Sequence, residues 1–277
     1  MLRLLLQRVR QDKLTVSCLL IIVLVVTGAL FAPRLVSQDP LAQSLSERRQ
    51  PPSSSHLLGV DEMGRDILSR LAYGSRNTLG IALLSTAIAL LSGTALGLVA
   101  GYYGGAVDAS IMWLMDLMLA FPYLLLAILI VATLGSGMLN TAIAIGIAAV
   151  PAYCRVVRSS VLAVREELFI TAEISLGAGD GRVLLGHVLP NVLAPVVVMG
   201  TLGIANAILG GAALGFLGLG TQPPAPEWGV MLSGGRSFLL DAPHISFFPG
   251  LALALLVFSC NILGDTLRDV LDPKLKT

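Results

Sequence analysis

The residues of this 277-residue chain that most often do chemistry are few and scattered. Its three histidines, His56, His187 and His244, fall in three different polar stretches, without the paired spacing on one helix that a zinc site needs. Cys18, Cys154 and Cys260 lie in or beside apolar runs. With no metal-like spacing they read as small buried apolar residues, not as a disulfide framework or a reactive thiol. The only lysines are Lys13, Lys274 and Lys276, and no Gly-Lys-Ser or Gly-Lys-Thr occurs, so the phosphate-cradling loop of an ATPase cannot be built from this chain. The run GAGDG at 177–181 has the wrong spacing for a dinucleotide site and no strand before it. No nucleophile stands with a base. The chain reads as non-catalytic, with no cofactor or metal of its own.

What remains is TAEISLGAGDGRVLLGHVLPN, residues 171–191, a polar, glycine-punctuated stretch set between long apolar runs. Those runs dominate the composition: 55% of residues are hydrophobic and only 13% charged, with mean hydropathy +0.84, whereas soluble domains carry about 25% charged residues. A net charge of +1 and a pI near 7.8 argue against a nucleic-acid partner held by counterion release. Crossing the hydrocarbon core takes about 20 apolar residues, and six segments meet or approach this: 14–33, 77–101, 109–135, 138–155, 191–220 and 246–265. The first could instead be the apolar part of a signal peptide, but it is longer than such regions usually are. The expected class is an all-α integral membrane protein with six transmembrane helices.

Lysine and arginine orient it. Positive charge collects at the N-terminus (Arg3, Arg8, Arg10, Lys13), in the insert 156–190 (Arg158, Arg165, Arg182) and in the tail (Arg268, Lys274, Lys276); all three are expected in the cytoplasm. The loop 34–76 holds six arginines, but five acidic residues accompany them, and it is expected outside. The expected division is a cytoplasmic segment 1–13, a first helix 14–33, an outward segment 34–73 and a five-helix membrane unit 74–265 containing the insert, then a cytoplasmic tail 266–277. Within the outward segment, Ile67, Leu68, Leu71 and Ala72 share a helical face, which fits an amphipathic helix lying on the outer surface or the solvated entry to the second span.

The insert reads as two short helices, about 160–176 and 180–189. Gly177 occupies a left-handed turn between them, Asp180 caps the second and Pro190 ends it. Gly93, Gly97 and Gly101, like Gly211 and Gly215, recur at the spacing that lets membrane helices approach closely. Asp116 is the only ionised side chain well inside an apolar run, so it should face a water-filled path or a neighbouring helix. Asn206 and Asn261 are read as hydrogen-bonding bridges between helices.

The insert resembles the cytoplasmic coupling loop of bacterial ATP-binding-cassette importer permeases: Glu-Ala-Ala, three residues, Gly, nine residues, Ile-x-Leu-Pro. Here Thr171, Ala172 and Glu173 take the first three positions, Gly177 the glycine, His187 the isoleucine and Leu189-Pro190 the end. Ala178, Gly179 and Asp180 lie in the turn between. Thr171 and Glu173 differ from the usual residues while the spacing matches. LGVDEMGRDILSR (58–70), DLMLAFPYLLLAI (116–128), GFLGLGTQPPAPEWGVML (215–232) and NILGDTLRDVLDP (261–273) look like the C-type permease of dipeptide, oligopeptide and nickel importers. Trp113 stands where relatives often place an arginine.

The resemblance implies a type I importer permease fold in the bacterial inner membrane. It also implies a heterodimer with a second, similar permease, two ATPase subunits that bind the ATP and Mg, and an extracytoplasmic solute-binding protein. The cargo would be peptides, with nickel or other metal chelates, opines or glutathione as alternatives. An ion-coupled carrier acting alone would place ionisable or unwound sites near the bilayer middle; a purely structural scaffold would leave the loop spacing unexplained.

Overall fold

The computed structural model describes residues 12–271. Arg3, Arg8, Arg10, Lys274 and Lys276, on which part of the expected orientation rests, lie outside the described residues. Ten helices carry the described chain: α1 Lys13–Leu35, α2 Ile67–Tyr103, α3 Gly105–Leu119, α4 Tyr123–Leu134, α5 Met138–Arg165, α6 Leu168–Ser175, α7 Asp180–Val183, α8 Leu189–Phe216, α9 Trp228–Gly235 and α10 His244–Leu271. Among the described residues the only β pairing is an isolated bridge between Val60 and Asp66.

Five runs are each long and apolar enough to cross a membrane: α1, α2, α5, Asp180–Phe216 and α10. The sixth expected span, 109–135, is divided, since α3 and α4 meet at an angle of 91°. Pro122 stands at the elbow with extended backbone (φ −53°, ψ 133°). It has no N–H to continue the α3 ladder and disfavours helix at the residue before it.

The closest helix packing is between α2 and α5, and the expected glycines make it. A Cβ on Gly93 would lie 2.4 Å from Tyr153 Cβ, one on Gly97 2.7 Å from the Cys154 carbonyl oxygen, and one on Gly101 2.8 Å from Val161 Cβ. Without a hydrophobic drive between helices in lipid, such backbone approach supplies the van der Waals contact that holds them.

Residues 67–73 do not form a separate surface helix, because they are the first two turns of α2. Asp66 caps it by accepting the Ser69 N–H at 2.8 Å, and Ile67, Ser69 and Arg70 are buried. The connection between α1 and α2 packs over this start of the helix, with Asp61 and the Pro40 carbonyl against Arg70. Asp61 accepts from Arg65 Nε at 2.7 Å and faces Arg70 Nε at 3.3 Å, while Glu62 holds Arg65 Nη2 at 3.0 Å and His56 meets Asp66 at 3.0 Å. Arg65 and Arg70 are thus matched by carboxylates within the loop.

Candidate coupling knob and membrane cavity

Residues 166–188 form a compact knob, though not with the boundaries read from the sequence. α5 runs to Arg165, the chain turns at Glu166–Glu167, and α6 begins at Leu168. The turn folds Ile170 back so that it is fully buried with Leu98, Tyr102, Val157, Val161, Val183, Val188, Val192 and Val196. This small core joins the knob to the ends of α2, α5 and α8. A movement of the knob is therefore passed to three membrane helices through close-packed side chains rather than through a flexible linker.

Gly177 has φ +84°, as expected for the left-handed residue ending α6. The Gly177 N–H donates to the Ile174 carbonyl at 3.0 Å and the Ala178 N–H to the Glu173 carbonyl at 3.1 Å, the two bonds of a Schellman cap. Asp180 does not cap the second helix. Gly179 holds that position, and Asp180 instead accepts a 2.9 Å hydrogen bond from the Tyr102 hydroxyl at the end of α2.

Pro190 does not end the helix, since the chain stays helical from Asp180 to Phe216. The turn Leu184–Val188 is widened, with the Leu189 N–H reaching back to the Leu184 carbonyl. That extra residue makes room for a ring that lacks a donor. Glu173 and His187, fourteen positions apart, come together at 3.7 Å.

The knob exposes large apolar side chains alongside charged ones, Glu166, Glu167, Asp180 and Arg182. Leu168 is 85% exposed and Leu176 84%, and Phe169, Ile174 and Leu185 are exposed beside Thr171 and Ala172. Exposed apolar side chains gathered among polar ones are the kind of surface that meets a protein partner or a membrane.

Asn206 and Asn261 are placed differently from expectation, whereas Asp116 meets a neighbouring helix as expected. Neither Asn206 nor Asn261 bridges helices; both are exposed. Asp116 pairs with Arg155 on α5, and two turns earlier on α3 Asp108 receives both Nε and Nη2 of Arg158. Arg155 was the missed partner, and 39 residues of separation hid it. Inserting an aspartate in a helix centre costs about 2.5–3.5 kcal/mol; an arginine on the adjacent helix offsets this.

Asn206 lines a cavity of about 710 Å³ framed by α2, α5, α8 and the α3–α4 elbow. Thr86, whose hydroxyl is buried without a partner, Phe121, Tyr123 and Tyr153 also line it. No charged side chain does.

A second site that sequence reading missed is Glu227. It is fully buried between α2 and α8, caps α9 through the Gly229 and Val230 N–H groups at 2.8 and 3.0 Å, and accepts from the Thr78 hydroxyl at 3.3 Å. A Cβ on Gly215 would collide with it at 2.3 Å. The glycine and the glutamate of the 215–232 motif are therefore one packing unit.

Residues 93–277 match the family described as binding-protein-dependent transport system inner membrane component, and residues 1–52 match the N-terminal TM domain of oligopeptide transport permease C. Over 271 residues the chain is 48% identical to the dipeptide transport system permease protein of Alkalihalophilus pseudofirmus, covering 98% of this chain and 89% of that protein. It is 47% identical to the di/tripeptide transport system permease protein of Pseudomonas aeruginosa (98% and 91% covered). Identity to the glutathione transport system permease protein of Pectobacterium atrosepticum is 43% (98% and 90% covered). The fold is similar to a chain of the inward-facing MetNI methionine ABC transporter, with TM-score 0.60 and 18% identity over 73% of this chain and 96% of that one. The chain belongs to the inner-membrane components of binding-protein-dependent transport systems.

Proposed function

We propose that this chain is the C-type permease subunit of an ATP-driven importer of di- and tripeptides, with glutathione as the alternative cargo within the same family. The observation that carries the reading is the knob at 166–188: exposed apolar side chains on one side, and on the other a core shared with α2, α5 and α8. A chain with no phosphate loop needs such a lever to receive work from separate ATPase subunits. Those subunits supply the ATP and Mg chemistry, a second permease completes the path, and an extracytoplasmic binding protein delivers cargo. In this reading both termini and the knob are cytoplasmic, and residues 36–66 and 217–243 face outward.

The uncharged cavity at Asn206 is the proposed half of the path. Its amide and hydroxyl groups match a peptide backbone without demanding a particular side chain. The test is uptake of labelled di- and tripeptides into proteoliposomes holding the full complex, binding protein and ATP. Uptake should require every component, and Asn206→Leu should lower the rate while leaving assembly intact. Uptake without ATP, driven by an ion gradient, would overturn the proposal.

A further inference from the structure

A groove of about 580 Å³ runs between α1, α2, α8 and α10. Its walls are aliphatic, with Ile22, Val26, Leu79, Leu83, Ile204 and Leu256 supplying most of the surface. The one hydroxyl, that of Thr201, is already satisfied by the Val197 and Val198 carbonyls. All four walls belong to helical runs long and apolar enough to cross a membrane, so an opening between them is one that lipid hydrocarbon can enter. A gap of this size left empty would forfeit the dispersion contacts of its whole lining.

The end toward residues 36–66 is cationic. Arg76 lies there, exposed, with its guanidinium 5.2 Å from the Tyr73 ring centre. Its Nε donates to the Ala29 carbonyl and its Nη2 to the Leu30 carbonyl at 3.2 Å. Ala29 is four residues before Pro33, which has no N–H to give, so Arg76 supplies the donor that the proline removes and fastens α1 to α2. That leaves Nη1 without a partner among the described residues. One helical turn beyond Leu30 stands Arg34, also exposed, and among the described residues neither arginine has a carboxylate partner.

We infer that this groove binds an anionic phospholipid, one acyl chain lying between α1 and the remaining helices and the phosphate held by Arg76 and Arg34. Cations at the end of an apolar slot, one of them against the Tyr73 ring, are complementary to that headgroup and tail. The lipid fills the gap beside the otherwise peripheral α1.

The test uses the assembled transporter in nanodiscs of mixed phosphatidylglycerol and phosphatidylethanolamine, with a diazirine on the acyl chain of one or the other. Phosphatidylglycerol should crosslink to Leu79, Leu83 or Ile204 well above phosphatidylethanolamine, and native mass spectrometry should show it retained. Arg34→Gln should cut the preference about fivefold, and Arg76→Lys should preserve it. Thr201→Phe, which fills the slot, should abolish the acyl crosslinks without unfolding the complex. Equal labelling by both lipids, no change in Arg34→Gln, or no acyl labelling at these positions because another subunit covers them would each overturn the assignment.

Discussion

Gly177→Val isolates the turn at the tip of the knob, because the structure provides its own control two residues away. At both Gly177 and Gly179 an added Cβ would meet nothing within 4 Å, so neither substitution causes a clash. The difference is in the backbone: Gly177 has φ +84°, while Gly179 has φ −69°, ψ 151°, a conformation any residue adopts. A Cβ in the left-handed region costs about 1–2 kcal/mol, more when branched, and relief requires opening the bonds from Gly177 and Ala178 to α6. A bias of that size changes the ratio of native to opened knob by about 5- to 30-fold. Ile170, Val183 and Val188 remain buried in their core, and the spans are held elsewhere, so the variant should insert and assemble. In proteoliposomes Gly177→Val should show reduced peptide uptake per ATP hydrolysed, whereas Gly179→Val should match the wild type. Indistinguishable variants, or a more damaged Gly179→Val, would refute the reasoning.

Three further outcomes follow from the packing and charge. Gly97→Ala pushes a methyl to 2.7 Å from the Cys154 carbonyl oxygen and should destabilise the α2–α5 pair by about 1–3 kcal/mol, read as a lower Tm in detergent; an unchanged Tm would mean the helices do not meet as described. Asp116 and Arg155 are 58% and 51% exposed, so Asp116→Asn should alter stability by no more than about 1 kcal/mol, and loss of uptake without loss of Tm would place the pair in the transport cycle instead. Burial raises the Glu227 carboxyl above its ordinary value of 4.5, against the lowering effect of the Gly229 and Val230 N–H groups and the Thr78 hydroxyl. The native state therefore favours the protonated form. The cost of ionisation is absent well below that ordinary value and grows as pH rises through and above it. Tm should fall across that window and Glu227→Gln should flatten the slope, while a Glu227-dependent rise would contradict the sign.

The apolar runs were legible because hydrocarbon imposes one requirement on any helix that crosses it. Gly177 was legible because few residues other than glycine take a positive φ at low cost. The start of α2 was not. Ser69 and Arg70 look like solvated surface, yet both are buried, Arg70 against Asp61 and the Pro40 carbonyl of the connection after α1, contacts that no local pattern records. Pro190 signalled a stop, and the widened turn before it cancelled that signal. Asn206 and Asn261 illustrate a different limit. Their type announces hydrogen bonding, but only the fold shows one lining a cavity and the other on an outer surface. Glu227, in a stretch of prolines and glycines, carried no mark that it would be the buried cap between α2 and α8.

The central claim, that the 166–188 knob transmits work from a separate ATPase, is tested most directly by crosslinking. In a background without Cys18, Cys154 and Cys260, all buried in the native chain, Leu176→Cys places a thiol at one of the two most exposed leucines of the knob. In the assembled complex it should crosslink to a single region of an ATPase subunit, with an efficiency that changes when ATP is added. If neither Leu176→Cys nor Leu168→Cys crosslinks to an ATPase subunit while the same complex still imports peptide, the knob is not the coupling element.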